Sequence, residues 1–210
     1  MLGVVDSFEF VKGLPLVRWK VVESEDDLKS FGFPCYLKAD VVGHKSEMEA
    51  VVRCDIFEDG LRKLKVLRKK FSGKRIVVQE SFDGIEMIVG VKSDAVFGKL
   101  LMIGFGGIFA EVKRDVSFRA LPVSRREIIE MIKELRGFGV FRARGKRYDL
   151  GKFVKLVEKV CKLASRIEEL DLNPVVVGEK DCRIVDVRER LSNAFSIQPI
   201  DKLDDLLGLD

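Results

Sequence analysis

Residues 100–111 read LLMIGFGGIFAE, an apolar run that passes directly into a cluster of glycines. Such a run is typical of a buried strand. The glycines after it allow backbone N–H groups to come close to an anion, which is how phosphates are held. The spacing is neither that of a P-loop nor GxGxxG. Two interpretations stay open for Gly104 to Glu111: a phosphate-binding loop, or a glycine turn between two strands.

The segments around this run alternate between strand and helix patterns. Helices are predicted after capping boxes at Ser24 and Ser124, the second one through residue 136, and a longer amphipathic helix begins near Asp149. A hairpin joins residues 170–177 to residues 182–187. Other strands are predicted at residues 17–22, 35–39, 50–53, 75–80 and 85–91. Hairpins without a strict βαβ order predict an α+β fold with lobes at residues 1–80 and 81–193, followed by a C-terminal tail at 194–210. Two interpretations stay open for its acidic end at residues 201–210: a tail, or a short docking helix.

Composition narrows the class of protein. The chain has 210 residues, 47% of them hydrophobic, so it can bury a sizeable core. Its 38 basic and 34 acidic residues nearly cancel, which argues against a nucleic-acid partner. No apolar run reaches the ~18 residues of a membrane span, and the start lacks the pattern of a signal peptide. We therefore expect a cytoplasmic protein whose four cysteines are buried free thiols.

Two side chains in the first lobe are candidates for phosphate chemistry. Lys38 interrupts an apolar strand. Facing a cleft, its ammonium would contact nucleotide phosphates, whereas on an edge strand it would snorkel to solvent. His44 is the only histidine and lies in a polar loop at residues 43–47. It is either a nucleophile that accepts a phosphoryl group or a surface residue without a role.

The C-terminal hairpin carries oxygen-bearing side chains on both arms. Asp171 and Asn173 belong to the first arm and Asp186 to the second. Across a short antiparallel hairpin such groups can converge on one face. Carboxylate and amide oxygens suit Mg²⁺, which usually bridges to nucleotide phosphates. The alternative is that these side chains are simply solvated at the edge of the hairpin.

In chain order, these features resemble the ATP-grasp family, and in particular the ATP-binding beta subunit of ADP-forming acyl-CoA (acetyl-CoA) synthetases. The resemblance covers nearly the whole chain and is most specific from Gly84 to Arg119. The matching segments are LK at 37–38, HKSE at 44–47, VQE at 78–80, GIEMIVGV at 84–91, the run 97–119, ARG at 143–145 and DLNP at 171–174.

The resemblance implies an ATP-grasp fold of two α/β lobes with the nucleotide site between them. It implies that ATP or ADP is held by Lys38, Glu80, Glu86, Gly106, Gly107 and Glu111. It further implies that Asn173 and Asp186 bind Mg²⁺, with Asp171 close by. His44 would carry a phosphoryl group between the nucleotide and a partner subunit.

The partner implied by the resemblance is a CoA-binding alpha subunit, so the active species would be a hetero-oligomer. The complete reaction would convert acyl-CoA, ADP and phosphate into acid, ATP and CoA. Two other functions stay open on the sequence: a non-catalytic nucleotide-binding module that regulates a partner, and a carboxylate-amine ligase. The ligase would need no histidine, so the unique histidine distinguishes it from the synthetase.

Overall fold

The computed structural model describes residues 2–42, 48–107 and 115–191, apart from the side chains of Arg144 and Leu191. The chain folds into two compact units. Unit 1 is Met1–Glu9 with Val17–Phe82, and unit 2 is Phe10–Leu16 with Asp83–Asp210. Helices combine with antiparallel sheets, which confirms the predicted α+β class. Within the described ranges, no helix is both long and apolar enough to cross a bilayer.

Unit 1 contains a four-stranded antiparallel sheet in the order β1-β4-β2-β3. The strands are β1 (Trp19–Val21), β2 (Cys35–Ala39), β3 (Val51–Cys54) and β4 (Ile76–Glu80). The helices are α1 (Val4–Phe10), α2 (Glu25–Phe31) and α3 (Phe57–Lys70).

The apolar faces of α2 and α3 form the core of unit 1 together with the sheet. The predicted capping box starts α2, since the Ser24 side chain accepts a hydrogen bond from the backbone N–H of Asp27 and the Asp27 side chain accepts one in return. Leu28 of α2 and Leu64 of α3 are completely buried in the same cluster as Leu37 of β2. Burying each such side chain stabilises the fold by about 1.5–3 kcal/mol.

Unit 2 contains a six-stranded sheet in the order β10-β8-β5-β6-β7, with β9 paired to β8. The strands are β5 (Ile85–Asp94), β6 (Gly98–Phe105), β7 (Val116–Ala120), β8 (Ile167–Val177), β9 (Cys182–Ile184) and β10 (Val187–Leu191). The helices are α4 (Arg125–Glu134) and α5 (Leu150–Leu163), and the 3₁₀ segments are Phe138–Gly145 and Ala164–Arg166.

The two faces of this larger sheet differ in chemistry. Met87, Val89 and Val91 of β5 are buried in the core of unit 2, as are Phe153 and Val157 of α5. Successive side chains of a strand point to opposite faces, so residues 86, 88 and 90 lie on the other face. That other face, called the open face below, also carries Met102 and Asp171, because both are register partners of Gly90.

The structure corrects several predicted boundaries. β1 is shorter than the predicted strand at 17–22. The helix that follows the confirmed capping box at Ser124 ends at Glu134, before residue 136, because the backbone of Leu135 turns to ψ 130. The predicted second arm at 182–187 is divided into β9 and β10, so Asp186 lies between two strands. Helix α1 was not predicted.

Candidate nucleotide and metal site

Lys38 lies in an interior strand of unit 1. β2 is flanked by β3 and β4, and Lys38 is only 4% exposed. The interpretation of Lys38 as a snorkelling residue on an edge strand is therefore wrong. Its Nζ lies 6.0 Å from the centre of the Phe8 ring, a cation–π contact that offsets part of the cost of burying an ammonium. A buried cation of this kind is suited to hold an anion.

Glu80 ends β4 and is held by Arg18. The backbone N–H of Arg18 donates to Glu80 Oε1 at 2.7 Å, and Arg18 Nε lies 3.8 Å from Oε2. In the register of β2 and β4, Glu80 is opposite Cys35, whereas Lys38 is opposite Val77. Directly opposite residues share a face, so Lys38 lies on the face of Val77. Val77 and Glu80 are three positions apart on β4 and therefore point to opposite faces, so the side chains of Glu80 and Lys38 lie on different faces of the sheet. The structure does not bring these two side chains together.

Glu86 and the glycine pair at the end of β6 are in close contact. The N–H of Gly106 donates to the carbonyl of Glu86 at 2.8 Å, so this N–H is already used within the fold. Gly107 has φ +61, and a Cβ there would lie 2.2 Å from Glu86 Oε2. The positive φ favours glycine at this position, whereas the exposed Glu86 carboxylate could move away from a Cβ. Glu86 itself is exposed on the open face.

The glycine that ends the apolar run has a packing role. A Cβ at Gly104 would lie 2.5 Å from a side-chain carbon of Val116 and 2.9 Å from the carbonyl of Asp115. Gly104 therefore allows β6 and β7 to approach closely. This packing role agrees with the interpretation of the segment as a connection between two strands. The later part of the predicted phosphate loop, including Glu111, lies outside the described residues, as do His44 and the tail at 194–210.

Asp171, Asn173 and Asp186 are brought together beside β5. The N–H of Asn173 donates to the carbonyl of Asp186 at 3.1 Å, and the N–H of Val185 donates to the carbonyl of Pro174 at 3.0 Å. These bonds fix the segment between β9 and β10 against the middle of β8. Asp171 and Asn173 also line a cavity of about 360 Å³ on the open face, together with Gly90, Met102 and Phe118.

Asp171 carries a buried oxygen that the described part of the fold does not satisfy. Its Oδ1 is buried and accepts no hydrogen bond from the described residues. Burial raises the pKa of Asp171, the neighbouring Arg188 lowers it, and the carboxylates of Asp186 and Glu169 raise it. A carboxylate in this position gains from a cation placed beside it.

These oxygens fit a magnesium ion that nucleotide phosphates would help to bind. The described ranges contain no group of three or more histidine, cysteine or carboxylate side chains able to hold a metal on their own. Mg²⁺ commonly takes only one or two carboxylates from the protein and completes its shell with phosphate oxygens and water. Two aspartates and one asparagine meet that requirement.

Arg188 was missed by the sequence reasoning. It lies directly opposite Asp171 in the pairing of β8 with β10. The sequence predicted one hairpin in which residues 182–187 pair with β8, and that register does not include Arg188. A basic residue two positions after Asp186 was the available signal.

The segment at 115–119 is instead a structural anchor. Asp115 accepts hydrogen bonds from the N–H groups of Arg136 at 2.9 Å and Gly137 at 2.8 Å. Ser117 donates its hydroxyl hydrogen to Glu134 of α4 at 2.7 Å, and Arg119 donates to the other carboxylate oxygen. These contacts attach α4 and the turn after it to β7. Part of the segment from Gly84 to Arg119, where the resemblance is most specific, therefore stabilises the fold.

Comparisons with known proteins agree with this architecture. Residues 11–191 match the ATP-grasp domain. The acetate–CoA ligase (ADP-forming) I of Archaeoglobus fulgidus is 38% identical over 185 residues, which are 80% of this chain and 27% of that protein. The chain thus spans about a quarter of that relative's length. The acetate–CoA ligase (ADP-forming) I subunit beta of Pyrococcus furiosus is 28% identical over 196 residues and 84% of both chains.

A solved structure shares the fold over most of its length. It is the dinucleotide-forming acetyl-coenzyme A synthetase 1 of Ca. Korarchaeum cryptofilum, in complex with coenzyme A and Mg-AMPPCP, with a phosphohistidine segment pointing towards the nucleotide binding site. The TM-score is 0.74 at 29% identity, and the match covers 88% of this chain and 89% of that one. With the family match over residues 11–191, these relatives establish that the chain belongs to the ATP-grasp domain family.

Proposed function

We propose that the chain is the nucleotide-binding part of an ADP-forming acyl-CoA synthetase and transfers a phosphoryl group between ADP/ATP and a phosphohistidine. The observation that carries the proposal is the convergence of Asp171, Asn173 and Asp186, in which Oδ1 of Asp171 is buried and accepts no hydrogen bond from the described residues. The matches to a beta subunit and to a synthetase bound to Mg-AMPPCP support it.

In this proposal, the residues named for the nucleotide by the resemblance would hold it. The buried ammonium of Lys38 would bind phosphate, and the chain around Glu80 would help to hold the nucleotide. Glu86, Gly106, Gly107 and Glu111 would border the phosphates. Because the N–H of Gly106 is used by Glu86, the role of Gly106 is to allow the chain to pass close by rather than to donate to phosphate. Asn173 and Asp186 would hold Mg²⁺, with Asp171 adding negative charge nearby.

His44 would be the phosphoryl carrier. In the ATP-forming direction, an oxygen of the β-phosphate of ADP attacks the phosphorus of phosphohistidine, the P–N bond breaks, and the ring nitrogen takes up a proton. Mg²⁺ would neutralise the charge of the phosphate oxygens. The residues of this chain would bind the nucleotide, orient it and exclude water.

The complete reaction requires a partner in this proposal. The named relative in Archaeoglobus is almost four times as long as the matched region, whereas the one in Pyrococcus is called a beta subunit. A CoA-binding alpha subunit or domain would form the acyl phosphate, and together the two would convert acyl-CoA, ADP and phosphate into acid, ATP and CoA. The assembly would be a cytoplasmic hetero-oligomer.

The test is the labelling of His44 with ATP radiolabelled at the γ-phosphate, with and without the CoA-binding partner. The chain has a single histidine, so acid-labile, base-stable label that is lost in His44→Ala reports that position. We expect label in the unmodified protein and none in His44→Ala. Nucleotide binding should be the same in both, which serves as the control.

Two other outcomes would favour the alternative functions. If His44→Ala keeps full activity in joining a carboxylate to an amine, the chain is a carboxylate-amine ligase. If nucleotide binds but neither protein becomes phosphorylated and no ATP forms with the partner present, the chain is a non-catalytic module.

A further inference from the structure

A basic cavity in unit 2 shares no lining residue with the cavity beside Asp171 and Asn173. It has a volume of about 800 Å³ and belongs entirely to unit 2, where α5, the start of α4 and the start of β6 meet. Leu121, Pro122 and Ala164 contribute apolar surface to its lining. The cavity therefore offers both an apolar contact area and a charged border.

Positive charge dominates that border. The cations are Lys99, Arg125, Lys155, Lys159 and Lys162, against the single carboxylate of Glu158. Arg125 already pairs with Glu158 at 2.7 Å, and Lys99 donates to Ser93 and to the carbonyl of Ile167. Lys155, Lys159 and Lys162 form no ion pair with any of the described carboxylates. These three recur at helical spacing along α5, which gives a row of positive charge.

The pairing of the strands places the cavity beside the point where the described chain ends. Leu191, the last residue of β10, is paired with Ile167 at the start of β8. Lys99 of the cavity donates to the carbonyl of that same Ile167. β10 is separated from β6 by only β8 and β5. At ~4.8 Å per strand, about 14 Å divides them.

The sequence after Leu191 has complementary chemistry. Residues 200–210 carry Asp201, Asp204, Asp205 and Asp210 against one lysine, and their leucines are at positions 203, 206, 207 and 209. Leucines at spacings of three and four residues form one apolar face in a helix. Residues 192–200, at ~3.3 Å each when extended, can span about 30 Å, more than the distance to the cavity.

We propose that the acidic, leucine-rich segment 200–210 of this chain docks in the basic cavity. Its aspartates would pair with Lys155, Lys159 and Lys162, and its leucines would cover Leu121 and Pro122. The inference does not depend on the proposed function, because no nucleotide-site residue takes part.

Cross-linking tests the docking directly. A carbodiimide joins a carboxylate to an amine only where the two are in contact. In the full chain we expect intramolecular links from Asp204 or Asp205 to Lys155, Lys159 or Lys162, identified by peptide mass spectrometry. The yield should not change on tenfold dilution and should fall several-fold in 0.5 M salt, because charge pairing is screened.

Cys161 provides a second, independent measurement. It lines the cavity and is half-buried, whereas the other three cysteines are buried. Burial raises the pKa of Cys161 to about 11, so alkylation is followed at pH 9. We expect Asp204→Lys with Asp205→Lys to increase the alkylation rate of Cys161 at least about threefold. The control is Asp55→Lys with Glu58→Lys, an equal change of net charge in unit 1, which should leave the rate unchanged.

Reversing both partners distinguishes docking from a general charge effect. Lys155→Glu with Lys162→Glu, combined with the two tail substitutions, should restore cross-links with the polarity exchanged. Absence of links in the unmodified chain, together with an unchanged alkylation rate in the tail variant, would overturn the proposal. Links found only between molecules, and lost on dilution, would also overturn it and would assign the cavity to a second copy.

Discussion

Asp115 and Asp171 are two aspartates on the same sheet of unit 2 whose surroundings differ. Asp115 precedes β7 and accepts two backbone N–H hydrogen bonds, from Arg136 and Gly137. Asp171 is in β8, and its buried Oδ1 accepts none from the described residues. A satisfied carboxylate stabilises the fold, whereas an unsatisfied one costs free energy unless a ligand compensates it. The contrast separates a residue kept for structure from residues suited to bind a cation.

The largest expected effect is on catalysis and concerns the residues suited to bind a cation. Replacing Asp186 by Ala removes one of the two oxygens assigned to Mg²⁺, so phosphoryl transfer with the CoA-binding partner present should fall about 10²–10³-fold. The folded state should be retained, since the hydrogen bonds that position this segment use the backbone of Asp186. The measurement is initial rate against Mg²⁺ concentration, with thermal unfolding as the control. An unchanged rate at limiting Mg²⁺ would remove Asp186 from the site.

The next effect is on stability and uses the two aspartates as a matched pair. Asp115→Asn removes the charge that accepts two N–H groups and turns an amide hydrogen towards one of them, which should cost about 2 kcal/mol. For a chain of this size that lowers Tm by roughly 4–8 °C. Asp171→Asn should change stability by less than about 0.5 kcal/mol, because it removes a buried charge with an unsatisfied oxygen.

Thermal and urea unfolding of both variants, without ligand, measure the difference. Equal destabilisation by the two substitutions would mean that Asp171 is also part of the structural framework. A larger loss of Mg²⁺-nucleotide affinity in Asp171→Asn than in Asp115→Asn would strengthen the contrast.

The sequence predicts local structure better than it predicts which strands pair. Local signals were sufficient for the capping boxes at Ser24 and Ser124 and for the strand at residues 35–39, which are confirmed. They are encoded by neighbouring residues, so no tertiary information is needed. Lys38 also stands out in the sequence as a cation inside an apolar strand, but its burial depends on tertiary packing, which includes Phe8 of α1 against its ammonium.

Long-range pairing was beyond the sequence reasoning. The pairing of Asp171 with Arg188 depends on a β8 strand that pairs with β9 at one end and with β10 at the other. A pattern of alternating residues gives each strand a face but does not identify its partner. The same limit applies to Glu80, whose face is set by its pairing with Cys35. The roles of Asp115 and Ser117 were hidden because their partners lie in α4 and the turn after it.

The smallest expected effect is a pH dependence of stability at Glu134, which attaches α4 to β7. Hydrogen bonds from Ser117 and Arg119 lower the pKa of Glu134 below its usual value. A carboxylate with a lowered folded-state pKa contributes stability above the unfolded pKa and loses it as pH falls through the folded one. Because Glu134 is nearly half exposed, the contribution should be below about 1 kcal/mol.

Glu134→Gln should therefore be slightly less stable than the unmodified chain at pH 7, and the difference should decrease steadily in urea unfolding from pH 5 downwards. A difference that stays constant down to pH 3 would show that Glu134 acts through its shape and through hydrogen bonds that do not need its charge. Asp115 would then be the carboxylate of this pair whose charge stabilises the fold.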